Sequence, residues 1–121
     1  MPPDERDAAY LWDMLQAARC VVEFVRGRTA QQYLADEMLQ SAVERKIEII
    51  GEAARNVSDA FQSQHSEIPW RPIMAQRHVL AHDYGEIEQD RIWRVATIHV
   101  PELIKLLEPL VPAPPPPPAK P

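Results

Sequence analysis

Four residues between positions 77 and 84 carry side chains suited to acid–base and phosphate chemistry: Arg77, His78, His82 and Tyr84. Histidine can accept or donate a proton near neutral pH, because its unperturbed pKa is about 6.5. A guanidinium can bind two phosphate oxygens at once and does not lose its charge. This segment is therefore a candidate site for moving a proton beside a phosphate group.

The spacing around Arg77 predicts a helix and an unusual position for a charge. At intervals of three and four residues, Arg77 shares a helical stripe with Ile73, Leu80 and Tyr84. Charged side chains are rarely buried without a partner. Arg77 must therefore be paired inside the fold or lie in a cleft or an interface.

Some of these residues also have a purely structural interpretation. Arg77 could form an ion pair with Glu48 or Glu52 of the preceding long helix, as charged pairs do in some protein cores. Tyr84 could be a half-buried aromatic residue that covers the core at the end of its helix. An ion pair at Arg77 would not explain the two neighbouring histidines.

A metal site is a further alternative. His78 and His82 are four residues apart on one helical face, and Asp83 is close in the sequence. Two histidines in this arrangement sometimes bind a metal ion. Because the sequence shows no clear third ligand and no supporting cysteine, we predict neither a metal nor another cofactor.

Local signals divide the N-terminal half into helices. The first helix begins after Asp4 and is ended by Gly27. Thr29 and Gln32 have the spacing of a capping box ahead of a short helical turn, and Asp36 is a suitable N-cap for the longest helix. That helix is predicted from apolar residues that recur every three or four positions: Leu39, Val43, Ile47, Ile50, Ala54, Val57 and Phe61.

The C-terminal half contains two more predicted helices. Pro69 fits the first turn of a helix that runs to about Tyr84, and Gly85 ends it. The next helix has Pro101 in its middle, which should kink or split it. From Pro112 the chain is nearly all proline, which is typical of an extended or disordered tail.

Composition agrees with an all-α fold. The chain has 121 residues, 45% of them hydrophobic, and only three glycines; no segment alternates as a half-buried strand would. We predict a bundle of four main helices plus a short helical turn in residues 1–111, with a disordered proline-rich tail in residues 112–121.

Charge and hydropathy restrict the function. The net charge of −5 opposes generic nucleic-acid binding, so any RNA site must be local. The N-terminus shows no apolar signal segment, and no apolar run approaches the roughly 20 residues that span a bilayer. We expect a cytoplasmic protein that does not contact a membrane.

The segment from Arg77 to Tyr84 resembles the R-x4-H-x-Y motif of HepT-like proteins, a branch of the HEPN superfamily. Flanking sequences resemble the same family, and the resemblance covers about residues 4 to 108: Glu48-Ile49-Ile50-Gly51-Glu52-Ala53-Ala54, Ile68-Pro69-Trp70 and Ile92-Trp93. Two positions depart from the pattern. His78 stands where many HEPN ribonucleases have Asn, and Ala75 stands where relatives often have Gly.

The resemblance implies an HEPN-type bundle that acts as a homodimeric, metal-independent endoribonuclease toxin. In that interpretation Arg77 and His82 are catalytic. His78 is a supporting residue. Glu48 and Glu52 are also candidate supporting residues, because either could pair with Arg77. It also implies a minimal nucleotidyltransferase (MNT) antitoxin that silences the toxin by transferring AMP to Tyr84. The alternative is a non-catalytic HEPN dimer that binds nucleotide or RNA phosphate as a regulatory or scaffold module.

Overall fold

The computed structural model describes residues 3–75 and 88–112. Every regular element within these two ranges is helical, which confirms the predicted all-α class. The elements are α1 (Glu5–Val25), α2 (Ala30–Leu34), α3 (Glu37–Asn56), α4 (Asp59–Gln64), α5 (residues 70–75), α6 (Gln89–Arg94), a π-helical stretch (Val95–His99) and α7 (Val100–Leu107).

The predicted helix boundaries in the N-terminal half are confirmed by their caps. The Asp4 side chain accepts a hydrogen bond of 2.7 Å from the backbone N–H of Asp7, at the start of α1. Thr29 and Gln32 form the complete capping box at α2. The Asp36 carboxylate accepts from the first turn of α3, and Gly27 follows α1 with a φ of +72°, a conformation that favours glycine.

The longest helix ends earlier than its apolar periodicity predicts. We expected one helix through Phe61, but α3 ends at Asn56 and α4 begins at Asp59. Ser58 caps α4, because its hydroxyl oxygen accepts from the backbone N–H of Phe61. The interruption is therefore followed by a new helix with its own N-cap, whereas a continuous helix has no N-cap in its interior.

Pro101 marks an interruption of the last helix, as predicted. The π-helical stretch Val95–His99 directly precedes α7, and Pro101 lies in the first turn of α7. The backbone N–H of Val100 donates to the carbonyl of Val95, five residues earlier. A widened turn of this kind is a common way to accommodate a local disruption of helical hydrogen bonding.

The hydrophobic core forms around α1, which packs against α3, α7 and the π-helical stretch. Burial of a large apolar side chain contributes about 1.5–3 kcal/mol, so this core supplies the main stabilisation of the bundle. Fully buried members come from each of these elements, among them Leu11, Met14, Val21, Val43, Ala96 and Leu107. No helix in the described ranges is long and apolar enough to cross a bilayer.

The predicted tail lies almost entirely outside the described residues, which end at Pro112. The division into a domain of residues 1–111 and a tail of residues 112–121 therefore stays a prediction.

Candidate functional site

The motif residues Arg77, His78, His82 and Tyr84 lie outside the described residues. Their catalytic, supporting and modified roles therefore stay predictions. The structure does describe the elements on both sides of them, α5 before the motif and α6 after it. These elements set where the chain enters and leaves the candidate site.

The entry to the motif is held by aromatic packing ahead of α5. Trp70 is buried, and its indole N–H donates a hydrogen bond of 3.0 Å to the carbonyl of His65. The ring of Phe61 lies edge-on to Trp70 with centroids 6.4 Å apart, and it also packs against the imidazole of His65 at 4.3 Å. Such contacts restrict the orientation of the rings, so the start of α5 is fixed against α4.

The exit from the motif is held by a polar network. The Tyr33 hydroxyl donates a hydrogen bond of 2.7 Å to Oε1 of Gln89, and Nε2 of Gln89 donates one of 3.1 Å to Oε2 of Glu44. We call these three residues the Gln89 anchor. Burial, and secondly the charge of Glu44, raises the pKa of Tyr33 above its ordinary value. The phenol therefore keeps the proton that it donates.

The surroundings of Tyr33 make the Gln89 anchor rigid. Tyr33 is fully buried, and its ring packs against Trp93 of α6 with centroids 5.2 Å apart. The Gln40 side chain donates to the backbone carbonyls of Tyr33 and Leu34, at 3.0 and 3.1 Å. These bonds add to the backbone hydrogen bonds that close the C-terminal end of α2.

A groove of ≈ 730 Å³ lies between α3, α5 and the helical run that begins with α6. Its lining is mostly apolar and comes from α3, α5 and the α6–α7 region, with Arg91, Arg94 and His99 contributing basic groups and Glu67 and Glu102 acidic ones. Both arginines are exposed, and neither forms an ion pair with any residue of the described ranges. The groove therefore carries two exposed guanidinium groups, balanced by two carboxylates, on an acidic chain.

The two predicted supporting carboxylates lie elsewhere on α3. Glu48 is 3.5 Å from the guanidinium of Arg45, one turn away. Glu52 lines a separate pocket of ≈ 160 Å³ that Tyr10 and Asp13 of α1 share. Neither carboxylate lines the groove. Arg77 itself lies outside the described residues, so its pairing with either stays a prediction.

Sequence reasoning missed the Gln89 anchor. No pattern in the sequence connected Tyr33, Glu44 and Gln89. The partners of Gln89 are 45 and 56 residues away along the chain. The available signal was weak: a lone tyrosine in a short polar helix, which needs a hydrogen-bond partner if it is buried.

The described ranges contain no group of three or more His, Cys, Asp or Glu side chains placed to hold a metal ion. The metal alternative drawn from the sequence used His78, His82 and Asp83. These three residues lie outside the described part of the chain.

The fold is a helical bundle built on a central first helix, and the comparisons with known proteins identify its family. Residues 14–110 match the sequence profile of the family described as Ribonuclease HepT-like. This chain belongs to that family, as the resemblance at Arg77 to Tyr84 predicted.

Curated relatives cover most of the chain. A protein of Methanocaldococcus jannaschii named "Putative RNase MJ1380" is 32% identical over 100 residues, which is 83% of this chain and 92% of the relative. A protein of Thermococcus cleftensis named "Probable ribonuclease HepT" is 36% identical over 94 residues, or 78% of this chain and 86% of the relative. No solved structure gives a significant match.

Proposed function

We propose that this chain is an endoribonuclease, the toxin of a HepT/MNT toxin–antitoxin module, with Arg77 and His82 as its catalytic residues. The observation that carries the proposal is the family match over residues 14–110. The R-x4-H-x-Y pattern read from the sequence at positions 77 to 84 lies within that range. Relatives that align over most of this chain are named as ribonucleases.

The proposed reaction uses the 2′-hydroxyl of the RNA as nucleophile. His82 accepts the hydroxyl proton while the 2′-oxygen attacks the adjacent phosphorus. Arg77 binds two phosphate oxygens and stabilises the charge of the phosphorane. The bond between phosphorus and the 5′-oxygen of the next nucleotide then breaks, and that oxygen takes up the proton that His82 accepted, directly or through water, which gives a 2′,3′-cyclic phosphate and a 5′-hydroxyl end. No metal ion is required in this scheme, and His78 assists in proton transfer.

A homodimer completes this site. On an ideal helix, residues five positions apart point about 140° away from each other, so Arg77 and His82 of one chain converge poorly. Two chains related by a two-fold axis can each supply a residue to the other's site. We therefore propose that RNA is cut in a groove between two protomers.

Two exposed arginines of the groove are the candidates for local RNA binding on an acidic protein. Arg91 and Arg94 follow the motif in the sequence and present exposed guanidinium groups. Two arginines on one surface can bind neighbouring phosphates although the whole chain has a net charge of −5. We propose that they bind the RNA backbone outside the cleavage site.

Regulation would come from an MNT-type nucleotidyltransferase that attaches AMP to Tyr84. The added phosphate can pair with Arg77, and the adenine can occupy space that RNA needs. RNA substrate and nucleotide donor are both found in the cytoplasm, where the proposal places the protein.

The alternative proposal is a non-catalytic dimer that binds nucleotide or RNA phosphate as a regulatory or scaffold module. His78 favours it, since many HEPN ribonucleases have Asn at this position. The net acidic charge favours it too, because it opposes binding along many phosphates of an RNA strand more than binding of a single phosphate group.

One experiment separates the two proposals. The purified chain is incubated with end-labelled RNA in EDTA, beside the same RNA with 2′-deoxy nucleotides. The ribonuclease proposal expects cleavage of RNA alone, with cyclic phosphate ends. Binding of both oligonucleotides without any cleavage would support the scaffold alternative.

A further inference from the structure

Gln89 is the hydrogen-bonding link between the two described parts of the chain. Residues 3–75 and residues 88–112 are joined by two hydrogen bonds in the described structure, and the Gln89 side chain makes both of them. All other contacts that the described residues make between these parts are packing contacts, which are not directional. Gln89 therefore supplies the directional contacts at the point where the second described range joins the bundle.

The start of α6 has no side-chain N-cap hydrogen bond, and the Gln89 anchor holds it instead. Glu88 occupies the N-cap position but makes no side-chain hydrogen bond to the helix, and Gln89 is the first residue of α6. α6 continues without a break into the π-helical stretch and α7, so only its first turn lacks a cap, and an uncapped first turn adds little stability of its own. Its start is held by tertiary contacts, the two bonds of Gln89 and the packing of Trp93 on Tyr33.

The partners of Gln89 leave it little freedom to move. The Tyr33 hydroxyl is buried and would lose its partner if Gln89 shifted, which is costly for a buried polar group. Glu44 accepts from the amide nitrogen, so the amide oxygen must face Tyr33. The two partners together specify one orientation of the Gln89 side chain.

Gln89 follows Tyr84 by five residues and His82 by seven. We propose that Gln89, held by Tyr33 and Glu44, is a positioning residue for RNA cleavage: it fixes the exit of the segment that carries Arg77 and His82. This inference rests on the proposed ribonuclease function. It assigns a role to three residues that do not contact the reacting atoms.

The first test is Gln89→Leu, which has a similar size but neither hydrogen bond. Small displacements of catalytic groups lower the rate strongly, so we expect kcat to fall about tenfold or more, with KM within about twofold. Ser58→Ala is the control, because it removes a helix cap at α4 instead. Rates are compared at a temperature where circular dichroism shows each variant fully folded. An equal loss of kcat in the control would overturn the proposal.

The second test restores the hydrogen bond between positions 44 and 89 with the donor and the acceptor exchanged. Gln89→Glu alone places two carboxylates against each other and should lower kcat as Gln89→Leu does. Adding Glu44→Gln restores an amide donor opposite a carboxylate, while Tyr33 can still donate to position 89. The double variant should regain at least about half of the wild-type kcat. A double variant as slow as Gln89→Glu alone would contradict the proposal.

A milder variant is available if Gln89→Leu does not fold. Tyr33→Phe removes only the hydroxyl, and a loss of kcat of about threefold or more is expected at unchanged KM. Wild-type kcat in a folded Tyr33→Phe or Gln89→Leu protein would overturn the positioning role alone. Absence of RNA cleavage by the wild-type chain would overturn the proposed function and this inference together.

Discussion

The carboxylate of Asp7 binds both the backbone and the side chain of Ser58. Its Oδ1 accepts from the Ser58 backbone N–H at 2.8 Å, and its Oδ2 accepts from the Ser58 hydroxyl at 2.6 Å. Asp7 is only 5% exposed, so these bonds compensate for the burial of its charge. The pair ties the first turn of α1 to the start of α4, beside the break that ends α3.

Asp7→Ala should destabilise the protein more than a typical surface substitution. Loss of the carboxylate leaves the backbone N–H of Ser58 without this partner and frees the Ser58 hydroxyl. We expect the free energy of unfolding to fall by about 1.5–3 kcal/mol, the range for hydrogen bonds to a charged group. Urea denaturation followed by circular dichroism measures it. Asp13→Ala, at an exposed position of the same helix, should change the free energy of unfolding by less than about 0.5 kcal/mol. Equal losses in the two variants would show that the hydrogen bonds between Asp7 and Ser58 do not stabilise the fold.

Helix starts in this chain are predictable where the signal is local. Asp4, Thr29 with Gln32, and Asp36 each cap a helix within three residues, so their spacing alone identifies them. The break between α3 and α4 is not predictable in this way. It depends on Asp7, 51 residues before Ser58 in the sequence, while the apolar periodicity continues through Phe61.

The candidate site shows the same difference between local signals and contacts made by distant residues. Arg77, His82 and Tyr84 are predicted from spacing and resemblance, because chemistry requires particular residue types at short separations. The hydrogen bonds of Gln89 are not predictable in this way, because only the fold brings Tyr33 and Glu44 to it. Pro101 indicates that the last helix is interrupted, but the π-helical form of the interruption depends on packing.

His82→Ala should abolish RNA cleavage and leave the fold intact. The imidazole is proposed to transfer protons, and loss of a general acid–base group typically lowers the rate about 10²- to 10⁴-fold. Cleavage of labelled RNA in EDTA measures the rate, and circular dichroism checks helicity. His99→Ala is a matched control, since His99 is an exposed histidine of the groove. Cleavage by His82→Ala at the wild-type rate would show that another group moves the proton.

Replacement of Arg91 and Arg94 together by Gln should weaken RNA binding without slowing the chemical step. Each lost phosphate contact raises KM and reduces the slope of log affinity against log salt by about 0.7 for single-stranded RNA. Titrations at several salt concentrations measure this slope. Arg26→Gln, which removes an exposed arginine that pairs with Glu23, serves as the control. An unchanged slope in the double variant would place the RNA on another surface.

The protein should be a homodimer in solution. The proposed site needs Arg77 and His82 from facing protomers, so cleavage and dimerisation should appear together. Light scattering should give twice the 13.8 kDa mass of one chain at micromolar concentration. A monomer that cleaves RNA at full rate would remove the argument for a shared site.

The proposed silencing by AMP transfer can be tested by mass, because each AMP unit transferred to a tyrosine adds about 329 Da and negative charge. The chain has three tyrosines, which gives the experiment internal controls. Tyr33 is fully buried, and its hydroxyl is already bound to Gln89. Tyr10 is half-buried on α1, so Tyr10→Phe is the matched control for Tyr84→Phe.

Tyr84→Phe should keep nuclease activity but escape silencing. The ring remains, and only the oxygen that would accept AMP is lost, so a residue with no proposed role in proton transfer should leave kcat unchanged. Co-expression with the cognate nucleotidyltransferase should add mass to the wild-type chain and to Tyr10→Phe, but not to Tyr84→Phe. Growth should then stop only in cells that carry Tyr84→Phe, because unmodified toxin still binds RNA through Arg77. Intact-mass spectra and growth curves measure both effects. A Tyr84→Phe chain that still gains AMP and is still neutralised would show that another residue controls the toxin.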